Sequence, residues 1–233
     1  MAGGIGHSRK TKRSYIMKTD SARVYQIRRL VDSGGTQPRS KEWRNNADEA
    51  AIDNFPWAAL ASPDYRPATS ARVANDAESL SVFMETDETE LRAEARGFGY
   101  VHTDSCMEFF LSPDPASSSD YLNWEFNPAG AMYLSIGKNR HERAIISDKN
   151  YPELFQLKTA THSKGWNLEY RIPLSFLRRF FPLLELRPGH TMRGNFYKCG
   201  EKTARPHFGC WSPIDLPQPD FHCPDFFGTL ICS

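Results

Sequence analysis

The sequence predicts an all-β protein, an antiparallel β-sandwich with immunoglobulin-like layers and one short helix. Three observations carry this. Aromatic residues make up 12% of the 233 positions beside 16 prolines and 15 glycines, with no long run of Ala, Leu, Glu and Lys. Such a composition suits strands joined by structured turns. From Arg23 onward, short strand-like segments alternate with turn residues at the spacing of antiparallel sheets. No internal repeat and no Pro/Gly/Ser linker divides the chain, so one domain is expected over residues 17–233.

The opening stretch 1–16 carries Arg9, Lys10, Lys12 and Arg13 without an apolar segment behind them. A disordered basic extension is expected there, not an export signal. Thr69–Ala74 and Leu80–Thr86 flank Asn75-Asp76-Ala77-Glu78, whose Asn and Asp favour a tight turn, so a hairpin follows. Cys106–Leu111 is a strongly apolar strand, ended by Ser112-Pro113-Asp114-Pro115 and the solvated run Ser117-Ser118-Ser119-Asp120. Tyr121–Asn127 alternates: Leu122, Trp124 and Phe126 face one way, Tyr121, Asn123, Glu125 and Asn127 the other. Pro128-Ala129-Gly130 turns the chain into a partner strand, Ala131–Ile136.

The charged segment Gly137–Asn150 is expected as an irregular loop able to reach over a neighbouring site. Trp166–Ile172 is a strand ending at Pro173, and Leu174–Phe181 is the short helix, stopped by Pro182. Thr191–Lys198 is another strand. A long loop, Cys199–Asp225, precedes a closing strand, Phe226–Cys232.

Lys plus Arg (29) nearly balance Asp plus Glu (28), so no global field favours nucleic acid or an anionic membrane, and neither partner is expected. No stretch approaches the ~20 apolar residues of a membrane helix. The five cysteines, an odd count without a visible export signal, are expected as reduced thiols in a cytoplasmic monomer.

In the last forty or so residues, aromatic rings sit beside hydrogen-bonding side chains and prolines: Asn195-Phe196-Tyr197-Lys198, Trp211-Ser212-Pro213, Phe221-His222 and Phe227-Gly228. A sugar ring has apolar faces and hydroxyl edges, so its site needs flat side chains and Lys, Asn, Glu or His together.

A wider ordered set runs through the chain: Asp104-Ser105-Cys106-Met107-Glu108-Phe109-Phe110, Asn123-Trp124-Glu125-Phe126-Asn127, Trp166-x-x-Glu169-x-x-Ile172-Pro173-Leu174, Asn195-Phe196-Tyr197-Lys198 and Phe227-Gly228-x-Leu230. It resembles the family 9 carbohydrate-binding modules, and more closely the stand-alone family 9-like sugar-binding proteins of bacteria, over Ala22 to Cys232. The resemblance implies a DOMON-like β-sandwich that binds a mono- or oligosaccharide without altering it, in a groove between aromatic walls and polar residues. It also implies a structural calcium held by loop oxygens, although no EF-hand-like spacing names its ligands. In described family members two tryptophans clamp the sugar. Here the first position falls in Val101-His102-Thr103 and the second in Phe221-His222, so neither holds Trp.

The site expected from these residues has Phe221 and His222 as stacking and capping groups and Glu125 and Asn127 as hydroxyl partners. Lys198 and Arg140 are nearby donors, His102 stands at the altered clamp, and Trp211 borders the ligand because Pro213 and a loop follow it. Two alternatives use other chemistry. Glu108 and Glu125 are candidate paired carboxylates for glycoside hydrolysis. Cys199, His207, Cys210, His222 and Cys223 lie in one loop-rich segment where His207-x-x-Cys210 has the spacing of zinc ligands, which suggests a zinc-stabilised interaction domain.

Overall fold

A computed structural model describes residues 23–30, 43–76, 78–146, 148 and 150–233. The expected N-terminal extension, 1–16, lies outside the described residues. The strands are β1 (Val24–Arg29), β2 (Ala50–Ala51), β3 (Thr69–Asn75), β4 (Ser79–Thr86), β5 (Cys106–Ser112), β6 (Tyr121–Phe126) and β7 (Met132–Gly137). They continue as β8 (Arg143–Ile145), β9 (Lys158–His162), β10 (Gly165–Pro173), β11 (Thr191–Cys199), β12 (Phe208–Cys210) and β13 (Gly228–Cys232). Among the described residues three short α-helices join them: α1 (Trp43–Asn46), α2 (Tyr151–Leu154) and α3 (Leu174–Leu177).

The strands form a curled sheet folded into a β-sandwich. One layer runs β8-β7-β6-β5-β11-β13-β1, and the other runs β1-β3-β4-β10-β9. β1 belongs to both. Its Val24–Ile27 stretch pairs with β13 and its Arg28–Arg29 end with β3, both in parallel. The expectation of antiparallel pairing is therefore corrected at this strand, which closes the sandwich by passing from layer to layer. The remaining ladders are antiparallel, among them the predicted β3–β4 and β6–β7 hairpins. Asp76 fixes the first hairpin: its Oδ1 accepts the N–H groups of Glu78 and Ser79 at 3.0 and 2.6 Å. In the second, Asn127 Oδ1 accepts the N–H groups of Ala129 and Ala131, and Gly130 takes φ +76° at the tip. That backbone region favours glycine.

Three sequence expectations need correction. The expected single helix is the four-residue α3, and the described residues hold two further short α-helices. The charged segment 137–150 is not wholly irregular, because β8 adds an edge strand to β7. The expected loop 199–225 contains β12, paired with β11 through Tyr197↔Cys210 and Cys199↔Phe208. Elements of three or four residues complete no hydrophobic period, so pattern alone does not reveal them.

Between the layers lies the main core, where Phe109, Leu122, Trp124, Phe126 and Phe196 of the first layer meet Val82, Met84, Trp166, Leu168 and Tyr170 of the second. The first layer also buries its outer face. There Phe110, Tyr121 and Tyr197 pack under Ile214, Phe221 and Phe227 of the C-terminal segment. This second cluster gives the molecule its candidate site. No helix among the described residues is long and apolar enough to cross a membrane.

Candidate functional site

Side chains at alternate positions of β5, β6, β7 and β11 point to the outer face of the first layer. The register lines Tyr197, Glu108, Glu125 and Tyr133 into one row across four neighbouring strands. Above that row opens a cleft of 360 Å³, a size at the lower end of small-molecule sites, which span roughly 300–1,000 Å³. Glu108 and Glu125 lie at its floor. Tyr100, Tyr133, Phe208 and Phe221 bring rings to it, and His102, Arg140, Arg143, Asp220 and His222 bring polar groups.

Each wall has an identifiable origin. Phe221 stacks on Tyr197 at 4.1 Å between centroids and an angle of 11°, and the Tyr197 hydroxyl donates to the Phe221 carbonyl at 3.2 Å. His222 follows, its Nδ1 2.8 Å from the Tyr121 hydroxyl and its ring 4.9 Å from that of Phe110. Arg140 holds Asp220 through Nε and Nη2 at 3.1 and 2.8 Å, tying the 137–142 segment to the C-terminal loop. On the other side Tyr100 stacks on Tyr133. Arg143 lies over the Tyr121 ring, with its guanidinium carbon 4.2 Å from the centroid, and hydrogen-bonds Asn123 and Ser135.

The floor is polar but poorly solvated. Burial pushes Glu125 up to about 7, opposed by the amide hydrogen bond from Asn123 and by Arg143 and Arg140. Glu108 is raised well above the usual carboxyl range, by burial first and then by Cys199 and Glu125. His222 is held neutral, lowered to about 3 by burial and by the two arginines. Burial would raise Asp220, yet the hydrogen bond from Arg140 keeps it below its ordinary value. The cleft therefore presents mostly neutral hydrogen-bonding groups, with charge concentrated on its arginines and rim acids.

Five of the eight residues named from sequence line this cleft: His102, Glu125, Arg140, Phe221 and His222. Three do not. Lys198 has the strand parity of Phe196, so its side chain points between the layers, where Nζ meets Glu88 and His207 at 2.8 Å each. Asn127 is spent on the β6–β7 turn, and its Nδ2 donates to Ala95 O and Asp104 Oδ2. Trp211 packs edge-on against Tyr25 and Phe196 in the inter-layer core.

Sequence reasoning missed Tyr100, Tyr133 and Arg143 as cleft residues. Tyr133 was within reach of it, because the β6–β7 hairpin sets it opposite Glu125 on the outward face. Tyr100 sits one residue before Val101-His102-Thr103, the window of the altered clamp.

The cysteines and histidines proposed for zinc do not converge. His207 Nδ1 donates to Arg205 O, His222 is engaged by Tyr121, and the Cys223 thiol donates to Asp220 O. Among the described residues one group of metal-type ligands does converge, Cys106, Glu108 and Cys199. Two sulfurs and one carboxylate do not suit calcium, which takes 6–8 oxygens, so this group is not a seat for the calcium that the resemblance implied. A larger depression, 620 Å³, lies along β2 and the ends of β3 and β4, with Phe55 as its one Phe, Tyr or Trp ring. Its buried polar pair, Thr69 and Thr86, is spent on a mutual hydrogen bond at 2.8 Å, and no buried carboxyl lines it.

No curated protein matches the chain. A solved structure from Bacteroides uniformis, described with a proposed carbohydrate-binding role, is 31% identical with a TM-score of 0.77, over 91% of this chain and 100% of that one. A family 9 module from Caldicellulosiruptor kristjanssonii, solved with cellotriose, is 15% identical with a TM-score of 0.62, covering 91% of this chain and 94% of its own. The glucose complex of a family 9 module from the same organism gives 17% and 0.58, covering 89% and 95%. At that identity these two modules speak for the β-sandwich fold alone. The sequence profile of carbohydrate-binding family 9 matches residues 40–232, most of the chain. The chain belongs to carbohydrate-binding family 9.

Proposed function

We propose that the chain binds carbohydrate, without altering it, in the cleft over the Glu108–Glu125 row. The observation that carries this reading is the meeting of aromatic rings and neutral hydrogen-bonding groups in a single open cleft of 360 Å³. Tyr100 and Tyr133 on one side and Phe208 and Phe221 on the other offer flat surface to the C–H faces of a sugar. Glu125, His222, His102 and Arg140 meet its hydroxyls. A protonated Glu125 both donates and accepts, which suits a hydroxyl that does the same. Family membership supports the ligand class. The neighbours solved with cellotriose and glucose make gluco-configured sugars the first to try.

Calorimetric titration of the full chain with glucose, cellobiose, cellotriose and sugars of other configuration tests this, with Tyr100→Ala as the site variant. Heat with at least one sugar and weaker binding by the variant are expected. No heat from any sugar, or equal binding by the variant, counts against this site.

One observation favours a hydrolytic reading. Glu108 and Glu125 are direct cross-strand partners, and such pairs have Cβ atoms about 4.5–5.5 Å apart. Side chains from such positions can bring two carboxyls to the spacing of a retaining glycosidase, roughly 5–5.5 Å between groups. Retention, however, needs one of them ionised as nucleophile, and burial favours the protonated form of both. Binding is the better reading, and release of chromophore from aryl glycosides would displace it.

A further inference from the structure

We propose that Cys106, Cys199 and Glu108 form a binding site for a thiophilic divalent metal ion of the zinc class, set in the floor of the cleft with one coordination position open to it. Cys106 and Cys199 are direct cross-strand partners on β5 and β11, and Glu108 stands two residues along β5 on the same face. All three are buried. The Cys199 thiol donates to Glu108 Oε1 at 2.9 Å, and one ligand atom from each residue lies within 4.8 Å of the other two.

That spacing fits a single ion. Zinc binds thiolate sulfur at about 2.3 Å and carboxylate oxygen at about 2.0–2.2 Å in a tetrahedron, which sets neighbouring ligand atoms ~3.5–4 Å apart. A small swing of the Glu108 carboxyl exchanges its hydrogen bond from Cys199 for a bond to metal. The ligands stand on two paired strands, so their mutual position is fixed by the sheet and not by a loop.

Access and charge also agree. Cys199 and Glu108 line the cleft, whereas Cys106 lies behind them, so an ion enters from the cleft and keeps that side open. Three protein ligands with an open fourth position is the pattern of zinc sites that hold water or an exogenous ligand, as against closed four-ligand structural sites. Binding releases the two thiol protons and the carboxyl proton to solvent, leaving two thiolates and one carboxylate around the dication. The single negative charge left over lies within the field of Lys198, which stands on the opposite face of β11 and favours both thiolates through the strand. This set is not the His207/Cys210 grouping that sequence spacing suggested. Only Cys199 is shared.

The test uses the full chain, reduced under anaerobic conditions and titrated with cobalt(II). One equivalent is expected to produce thiolate-to-cobalt charge-transfer absorption and tetrahedral ligand-field bands, both removed by zinc. Cys106→Ser and Cys199→Ser should each weaken binding at least tenfold, Glu108→Gln about tenfold, and Cys223→Ser not at all. X-ray absorption of the zinc-loaded wild-type protein should find two sulfur scatterers with oxygen completing the shell, a readout that needs no variant to fold. The proposal is overturned by absence of the charge-transfer band, by its persistence in both cysteine variants, or by a zinc shell without sulfur.

Discussion

Tyr100 lies stacked on Tyr133, with ring centroids 5.5 Å apart and planes inclined by 28°. Tyr133 is held from below by the β6–β7 register, while Tyr100 is 64% exposed at the rim of the cleft. Exposed and braced by a second ring, Tyr100 presents a flat face at the cleft rim. On the proposed reading, it supplies, from one residue upstream, the flat surface missing from Val101-His102-Thr103.

Replacing Tyr100 by Ala removes one stacking surface, about 1 kcal/mol or roughly fivefold in sugar affinity. Tyr100→Phe should bind as wild type, since the ring and not the hydroxyl makes the face. Thermal midpoints of both variants should stay near wild type because the ring is largely exposed. A fivefold loss in Tyr100→Phe as well would move the contribution from the ring to its hydroxyl.

Lys198 and Glu88, 0% and 1% exposed in their side chains, form an ion pair at 2.8 Å inside the sandwich. Trp166 Nε1 also donates to Glu88, at 3.4 Å. Lys198→Met leaves that carboxylate buried without its cation, a change that costs about 3–5 kcal/mol. The double variant Lys198→Met with Glu88→Met should recover most of this loss in urea unfolding. Sugar affinity of the folded protein should be unchanged in the double variant, because Lys198 points away from the cleft. Loss of sugar binding with stability retained would return Lys198 to the role of hydroxyl donor.

The alternation in Tyr121–Asn127 made one face of β6 legible from sequence, and with it Glu125 on the cleft floor. Lys198 differs because its charge suggests the cleft whereas its strand parity directs it to the core. Phe196 is core, so the residue two along must face the core as well, however polar it is. Asn127 has the right parity but stands past the end of the strand, where a turn claims its amide. Arg143 was hidden because β8 is three residues long and acquires its direction only by pairing with β7. The thiol–carboxyl group was hidden more deeply. Cys106 and Cys199 lie 93 positions apart and meet only through the β5–β11 register, which no local pattern encodes.

Gly228 explains why Trp211 is core and not cleft. A Cβ at position 228 would stand 2.3 Å from the Trp211 ring and 2.8 Å from the Arg23 carbonyl, so the indole lies directly on glycine backbone. Gly228→Ala must displace the indole or the paired strand, and a loss of about 1–3 kcal/mol is expected, as for other overpacked sites. Trp211→Phe in the same background opens space and should recover part of it. Additive losses in the double variant would show that the indole is not what the new methyl meets.

The pH dependence of stability should carry a component from His207. Its Nε2 accepts from Lys198 at 2.8 Å, its Nδ1 donates to the Arg205 carbonyl at 2.8 Å, Glu88 lies 4.0 Å away and the Tyr65 ring 5.1 Å away. Burial, then Lys198, lowers the imidazole to about 3 from an ordinary value of 6.5. Below about pH 6.5 the unfolded chain takes up a proton that the folded chain refuses, so stability falls with falling pH, by up to about 1.4 kcal/mol per unit, until the folded imidazole also titrates. Glu108 and Glu125 act in the opposite sense. Their folded-state values are raised, so the folded form gains as pH falls toward the ordinary carboxyl range. A raw melting curve mixes the two, and a difference between variants separates them. His207→Gln keeps an acceptor for Lys198 and removes the titration, while the glutamates and His222 remain in both proteins. The stability advantage of wild type over this variant should therefore shrink steadily between about pH 6 and pH 4, read from urea midpoints. A constant difference over that range would mean that the folded protein accepts the proton on His207 after all, and that Lys198 does not keep the ring neutral.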